Sequence, residues 1–394
     1  TSGGLKITSD TSGTLEIQSA GTTKFTVNSA GVAMPGPLTG LTSINGGQVG
    51  GSRNKIINGA MEINQRGTAA VATDQAFPSD RFKTAEAGGG NMTAQVVADA
   101  PASFRNSIKV IASTADDCSQ AADEYRIYQR IEGNNVVDLY YGNSGAKTTT
   151  LSFWVKSSLT GNFPVGLENS ASNRTHVKQY TINSADTWEK KSVTFVGDET
   201  GTWLITNGIG LTVNFVLGAG SNYTGTIDSW QGSRLYRGSS SVQFMATVNA
   251  TYFVTGVQLE VGSTATDFEY RTFGEELALC QRYYEQSYNY GVAVGTTTYD
   301  GGSFVGGSAT TRTTGYIAGG SIDFRVEKRG DPTIVAYDQA GASGKSQRYE
   351  LGVSNTNNSA IAIGHTDLRN FMCYSNTGSN ATGLFLHFTA TAEL

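Results

Sequence analysis

Along its first 31 residues the chain alternates apolar and polar positions in units of ten. Leu5-Lys6-Ile7, Leu15-Glu16-Ile17 and Phe25-Thr26-Val27 align, with Ser9, Ser19 and Ser29 in step behind them. Period-two alternation predicts one strand per unit, with Ser-Gly or Ala-Gly near each turn. Two apolar residues on one face of a strand are too few to form a core alone. The pattern therefore predicts burial against other copies, most economically a three-chain shaft with Leu5, Ile7, Leu15, Ile17, Phe25 and Val27 at its centre. Thr1 opens the chain inside this repeat and without a methionine, as expected of a fragment or trimmed product whose attachment region lies outside it.

Gly and Pro crowd residues 33 to 53, so residues 1–53 read as repeat shaft plus linker. A hairpin is expected next: Lys55-Ile56-Ile57, an Asn58-Gly59 turn that favours positive φ, then Ala60 to Ile63. Short strands follow at the spacing of a β-sandwich: Tyr125 to Ile131, Thr149 to Val155, Trp188 to Val196, Ile209 to Leu217 and Tyr252 to Val261. Within them Leu151, Phe153 and Val155 face one way, and Ser152, Trp154 and Lys156 the other. Residues 54–272 thus form a sandwich body.

A short linking helix is predicted within 273–286, running over 273 to 285. Thr272 and Glu275 stand at capping-box spacing, Glu275 and Glu276 occupy the positive first turn, and Arg282 lies near the negative end. Leu277, Cys280 and Tyr284 fall on one face, which should dock between the flanking β-domains. Alternation then resumes through Tyr288, Tyr290, Val292 and Val294, through Ile322, Phe324 and Val326, and through Phe385 to Phe388. Residues 287–394 are expected to form a smaller β-sandwich tip with an ordered C-terminus.

Composition agrees with an all-β chain. Of 394 residues 49 are glycine, only 15% are charged, and Thr, Tyr, Phe and Val abound. A net charge of -5 argues against a nucleic-acid binder, which needs a basic stripe to displace counterions. It argues equally against loose electrostatic adhesion to anionic lipid, so a grip on such a surface must come from specific contacts. Cys118, Cys280 and Cys373 lie far apart with no C-x-x-C pair, which predicts free thiols made in a reducing cytoplasm rather than a disulfide scaffold or zinc site. No apolar run approaches the roughly 18 residues of a membrane span, so no insertion is expected.

Several segments carry a family likeness. They include Asn54-Lys55-Ile56-Ile57-Asn58-Gly59-Ala60-Met61-Glu62-Ile63-Asn64-Gln65-Arg66-Gly67 with Ser79-Asp80-Arg81-Phe82. Tyr128-Gln129-Arg130-Ile131-Glu132-Gly133, Thr150 to Lys156 and Thr187-Trp188-Glu189-Lys190-Lys191 follow. Then comes Gly256-Val257-Gln258-Leu259-Glu260-Val261-Gly262, running through Phe268-Glu269-Tyr270-Arg271 to Glu275-Glu276-Leu277-Ala278-Leu279-Cys280-Gln281-Arg282-Tyr283-Tyr284. In the tip, Phe324-Arg325 and Asp331-Pro332-Thr333 complete the set. In this order, over about two thirds of the chain, the set resembles tail fibre and related receptor-binding virion proteins of bacteriophages. The resemblance implies an intertwined homotrimer with a repeat shaft, a body similar to carbohydrate-binding jelly rolls, and distal β-domains that touch the host. It further implies other phage tail proteins at the N-terminal end, a virion location and assembly in the bacterial host cytoplasm. No self-cleaving chaperone segment is visible, so unaided folding and a separate chaperone both stay open.

Catalytic chemistry is sparse. His176, His365 and His387 have no partner at metal-ligand spacing, and no nucleophile-elbow, zincin or P-loop pattern occurs, so no enzyme activity, cofactor or metal is expected. The adjacent carboxylates Asp116-Asp117 and Glu275-Glu276 read as a solvated loop and helix-end charge rather than a glycan-cleaving pair. Arg329-Gly330-Asp331, before Pro332, reads as a plain turn, and His387 as structural.

A sugar site needs an exposed aromatic face beside planar hydrogen-bonding groups. Trp188 resembles a residue that packs the sandwich in this family and is expected in the core, whereas Trp203 and Trp230 sit beside Gly-rich turns and are open to either role. Tyr288 and Tyr290 share a face with valines and should be buried. Tyr299 and Asp300, Asn355, Asn357 and Asn358, and Asn376 and Asn380 lie in polar loops suited to receptor contact, since distal loops vary without upsetting cores. The sequence thus predicts a fibre that attaches the virion to host surface polysaccharide or an outer-membrane receptor without catalysis. A purely structural virion fibre and a glycan-depolymerising tailspike are the alternatives.

Overall fold

A computed structural model describes residues 5–9, 15–19, 22–28, 31–33, 52–306, 317–350, 356–375 and 381–394. The chain divides into two units, Thr1–Gly51 and Ser52–Leu394. Both are β structures, and all described sheets are antiparallel.

In the first unit each ten-residue repeat supplies one strand, as its alternation predicts: β1 (Leu5–Ser9), β2 (Leu15–Ser19) and β3 (Thr22–Asn28), to which β4 (Gly31–Ala33) adds a fourth. They pair in sequence order, Ile7 opposite Ile17, Ile17 opposite Phe25, and Leu15 opposite Val27. Directly opposed residues share a face, so the decads are in register across the sheet. Backbone partners for these strands come from the same chain.

The second unit opens with the sandwich body. Its strands are β5 (Lys83–Ala87), β6 (Asn91–Val97), β7 (Ser107–Thr114), β8 (Glu124–Glu132), β9 (Thr149–Ser157), β10 (Gly161–Glu168), β11 (Thr175–Ile182), β12 (Glu189–Phe195), β13 (Ile209–Ala219), β14 (Trp230–Gln231) and β15 (Thr251–Val261). One sheet runs β14-β11-β10-β13-β8-β5 and the other β12-β9-β15-β7-β6. Leu151, Phe153 and Val155 are fully buried between them with Phe163, Val165, Phe215 and Leu259, as period two requires. In β15 the register slips between Thr255 and Gln258, where Gly256 adopts φ +61. A side chain there would strike the ring of Phe104, so this glycine makes the bulge.

Asn58-Gly59 turns the chain without making a hairpin. Asn58 has φ 60, but no strand flanks it. Its side chain accepts from the Ile63 amide (2.9 Å) and donates to the Ile63 carbonyl (2.8 Å), holding the segment as a loop. That loop's edge groups are taken by β15 and Gln129: Lys55 N–H donates to Leu259 O (2.8 Å), and Gln129 bonds both backbone groups of Ile57.

Helix α1 (Phe273–Gln281) carries the predicted capping box, with Thr272 and Glu275 satisfying each other's backbone donors. It ends four residues earlier than expected. Tyr284 enters β16 (Tyr284–Gln286), where sheet pairing replaces helical hydrogen bonds. Cys280 is buried with Ile57, Ile63 and Tyr283, with Leu277 packed alongside.

Beyond it lie β17 (Ser303–Gly306), β18 (Ile317–Asp323), β19 (Thr333–Tyr337), β20 (Lys345–Glu350), β21 (Thr356–Ala360), β22 (Ala362–Gly364), β23 (Asn370–Ser375) and β24 (Ala381–Thr391). β24 is the spine. Its last residues pair with β16 and β19, its first with β17 and β20. Leu386, Phe388 and Ala390 point into a core with Phe324 and Phe371. The alternation from Tyr288 to Val294 forms no strand. Tyr288 is buried, stacked on buried His387 at 3.9 Å, but Tyr290 is 45% exposed and bonds Glu62 O and the Asn64 amide. Trp188 likewise lies outside the core, half-buried over Phe253 with its N–H on Asp99 (3.2 Å).

The segments carrying the family likeness meet where the body joins the strands beyond α1. Arg66 lies over the Tyr284 ring (3.6 Å) and pairs with Asp80 and Glu393. Arg81 lies over Tyr283 (3.5 Å), pairs with Glu393 and donates to Arg130 O. Glu132, wholly buried, accepts two bonds from Arg282 (2.9 and 2.7 Å) and one from the Tyr283 hydroxyl (2.9 Å). Burial alone would raise its carboxyl pKa, yet these donors hold it below the usual range. Arg329 of the Arg-Gly-Asp tripeptide is used up here, donating to carbonyls of Asn207, Ala392 and Glu393.

Removing one member of a buried pair strands the other, at a cost of about 3 kcal/mol. Glu132→Ala should lower the urea midpoint accordingly and split a single calorimetric transition of residues 52–394 into two. An unchanged midpoint would show that the junction contributes little.

Candidate ligand-binding site

Besides Tyr270, Phe273 and Tyr290 around α1, two surfaces present aromatic rings to solvent. One closes the body sandwich where β8 hands on to β9. Two 3-10 turns, Gly133–Asn135 and Val137–Leu139, lead to Tyr140, which is left-handed at φ 59. Tyr141 then turns inward, its hydroxyl on Thr149 Oγ1 (2.9 Å). Opposite it, Asp198 takes two bonds from Arg174 (2.8 and 2.6 Å), one from the Thr200 hydroxyl and one from the Trp203 N–H (3.2 Å). Burial would raise Asp198, but Arg174 and Thr200 keep it below the ordinary carboxylate range, so it stays ionised and grips the indole.

Trp203, Tyr141 and Trp230 pack edge to face at 4.9 to 5.7 Å, and the Trp230 N–H donates to Val196 O (2.7 Å). Both tryptophans are thus half-buried, with their polar edges engaged internally. Trp230 forms a wall against His176; Trp203 lines an open cleft of about 120 Å³ with Tyr140, Tyr141, Asn143, Leu204 and Ile205. Tyr140 and Ile205 are 53% and 59% exposed.

The other surface lies on the sheet around β24. Tyr299 is 49% exposed, packs edge-on against Phe385 and accepts from the Gln347 amide (3.1 Å). Tyr349 is half-buried, and its phenol pKa is raised by burial and by a hydrogen bond with Tyr299. Phe304, 60% exposed, meets Tyr349 edge-on at 5.2 Å and crosses Gly383, where a side chain would collide with its ring. Tyr299, Tyr349 and Phe304 form one strip.

Asp300 is exposed beside the strip, and Asn357 is half-buried with its amide on Gln339. Asn358 lies on β21 with its side chain outside the described residues; Asn355, Asn376 and Asn380 lie wholly outside them. The strand ends that flank those segments are neighbours, since Gly306 pairs with Gly383, Glu350 with Ala381 and Ile317 with Ser375. Phe304 and Tyr349 are not among the residues that the sequence pattern singles out for a ligand, although Ser303-Phe304-Val305 carries the signal for the first. With Val305 buried, period two sends Phe304 outward.

Among the described residues no group of His, Cys, Asp and Glu could hold a metal ion, and no helix is long and apolar enough to cross a membrane. Glu275 caps α1, Glu276 accepts from the Asn58 amide, and Asp116 accepts from the Tyr125 hydroxyl (2.6 Å).

No family model matches the chain, and no curated protein matches it. Solved structures similar to part of it include the enzymatically active domain of bacteriophage CBA120 tailspike protein 4, at 11% identity and TM-score 0.28, covering 53% of this chain and 21% of that one. This chain therefore spans about a fifth of that tailspike structure. A family 11 carbohydrate-binding module from Clostridium thermocellum, in complex with a β-1,3-1,4-mixed-linked tetrasaccharide, matches at 11% identity and TM-score 0.27, over 50% of this chain and 99% of that one. TmCBM61 in complex with β-1,4-galactotriose matches at 10% and 0.23, over 53% and 99%. The β assignment rests on the strand pairing.

His176 supplies a pH test. Burial among Phe195 and Trp230, with Lys178 adding to it, pushes its imidazole down to about 4. The unfolded chain, titrating near 6.5, binds the proton first. Stability from the neutral ring is therefore full above pH about 6.5 and is lost as pH falls toward about 4. His176→Phe should lessen the fall in urea midpoint between about pH 7 and about pH 4.5; an unchanged slope would count against a buried neutral ring.

Proposed function

We propose that this chain is a bacteriophage tail fibre protein, located in the virion, that attaches it to the host by holding a surface glycan or outer-membrane receptor without cleaving it. The observation that carries this reading is the strip of Tyr299, Tyr349 and Phe304. Exposed aromatic faces stack on the apolar side of a pyranose, while the exposed Asp300 beside them supplies a hydrogen-bonding group for its hydroxyls. A polypeptide gains nothing by leaving such rings in water, and apolar patches of this kind mark contact surfaces. The ordered run of fibre-like segments through the sequence supports the same reading. The carboxylates Glu275, Glu276 and Asp116 are engaged structurally, which favours binding over cleavage.

The same proposal makes the fibre a homotrimer with other tail proteins at its N-terminal end, copies packing through Leu5, Ile7, Leu15, Ile17, Phe25 and Val27. Its support is the sequence register: six apolar residues on three paired strands share one face of the sheet, a face suited to burial against other copies. Three weak sites on one rod gain avidity without any site being tight.

Binding of the full chain to immobilised bacterial lipopolysaccharides and capsular polysaccharides should be saturable for at least one. Phe304→Ala with Tyr299→Ala should weaken it roughly tenfold or more, with the unfolding midpoint nearly unchanged because both rings are exposed. Absence of binding across the panel would favour a purely structural fibre, and release of new reducing ends a depolymerase. Sedimentation equilibrium should give three chain masses, falling to one for Ile7→Asp with Ile17→Asp; a single mass for the unaltered chain would remove the trimer.

A further inference from the structure

The cleft at the end of the body is separate from the tip strip, and its chemistry is different. Its enclosed volume is about 120 Å³, open to solvent on one side, room for part of one sugar ring rather than for a longer ligand. Its lining is carbon. Trp203 spends its N–H on Asp198 and Thr200 O, and Tyr141 spends its hydroxyl on Thr149, so both rings turn their carbon atoms to the cleft. Leu204 and Ile205 close one side. Asn143 is the one amide in the lining; its N–H donates to Tyr141 O (3.3 Å), leaving the carboxamide oxygen to accept from a ligand.

Tyr140 stands at the rim. It is left-handed at φ 59 where it ends the Val137–Leu139 turn, its N–H on the Val137 carbonyl, and this local cap leaves the residue 53% exposed beside the cleft.

We propose that this cleft is a second ligand site, which takes a 6-deoxyhexose residue of a glycan, its methyl group against Trp203, Tyr141 and Ile205 and one ring hydroxyl on Asn143. A fully hydroxylated hexose would place a hydroxyl against carbon with no partner, and an unpaired hydroxyl is costly to bury. A deoxy sugar puts a methyl there instead. The inference rests on the glycan reading of the preceding subsection but on different residues.

The test is ligand-observed NMR and calorimetry on the full chain with two pairs of probes: methyl α-L-rhamnopyranoside against methyl α-L-mannopyranoside, and methyl α-L-fucopyranoside against methyl α-L-galactopyranoside. Within each pair only the 6-hydroxyl differs. At least one deoxy sugar should bind, about 10- to 100-fold tighter than its 6-hydroxy partner, the usual range for one small group in an apolar pocket. Tyr140→Gly, which relieves the left-handed strain and therefore folds, and Ile205→Asp should both abolish that binding. Phe304→Ala with Tyr299→Ala should leave it intact, so failure of the tip reading and failure of this one are told apart. Equal binding within each pair, no binding by either deoxy sugar, or undiminished binding by the cleft variants would overturn the proposal. So would a drop in sedimenting mass for Tyr140→Gly, which would make the cleft an interface between copies.

Discussion

Two arginines clamped between tyrosine rings and carboxylates set the position of everything after α1. Arg66 and Arg81 lie over Tyr284 and Tyr283 and share Glu393 near the C-terminus, while Glu132 of β8 holds Arg282 and the Tyr283 hydroxyl from the other side. Charges out of water are tolerated only when paired and fully hydrogen-bonded, so such a lattice has one good geometry and few near misses. β24 enters this lattice at its end, with Arg130 holding the Leu394 carbonyl oxygen (3.0 Å). Since β24 is also the spine to which β16, β17, β19 and β20 pair, the junction orients the aromatic strip as a consequence.

The same logic explains the two exposed surfaces. In each, the polar ends of the aromatic side chains are consumed inside the protein: Trp203 on Asp198, Tyr141 on Thr149, Tyr299 on Gln347. What remains for solvent is ring face and edge, with each polar end already tied to an internal partner. A site prepared in this way spends little side-chain entropy on binding. The surfaces differ in what surrounds the rings, with the exposed carboxylate Asp300 at the strip and leucine, isoleucine and a single amide at the cleft.

Much of this was legible in the residues. The decads specify strands because period two admits no other regular element, and the Thr272–Glu275 spacing specifies a helix start because only that separation satisfies both backbone donors. The limits were also local in origin. Asn58-Gly59 carries hairpin chemistry, yet Asn58 spends its side chain on Ile63, and β15 and Gln129 take the flanking backbone. Tyr290 alternates with valines as a strand residue would, but its hydroxyl reaches the Asn58 loop's far side at Glu62 and Asn64, and no strand forms. Trp188 opens a strand, and alternation alone gives no sign of which face is covered.

The sequence by itself determined the repeat strands, the start of the capped helix and the alternating faces of the body strands, because these depend on neighbours within a few residues. Tertiary structure alone decided that Asn54 to Gly67, Ser79 to Phe82, Tyr128 to Gly133 and Gln258 to Tyr284 are parts of one junction, and that Tyr290 and Tyr140 face water while Tyr141 does not. Those outcomes depend on pairings between residues as much as 327 positions apart, as in Arg66 with Glu393. Local periodicity supplies two faces to every strand, and only long-range packing chooses which of them is covered.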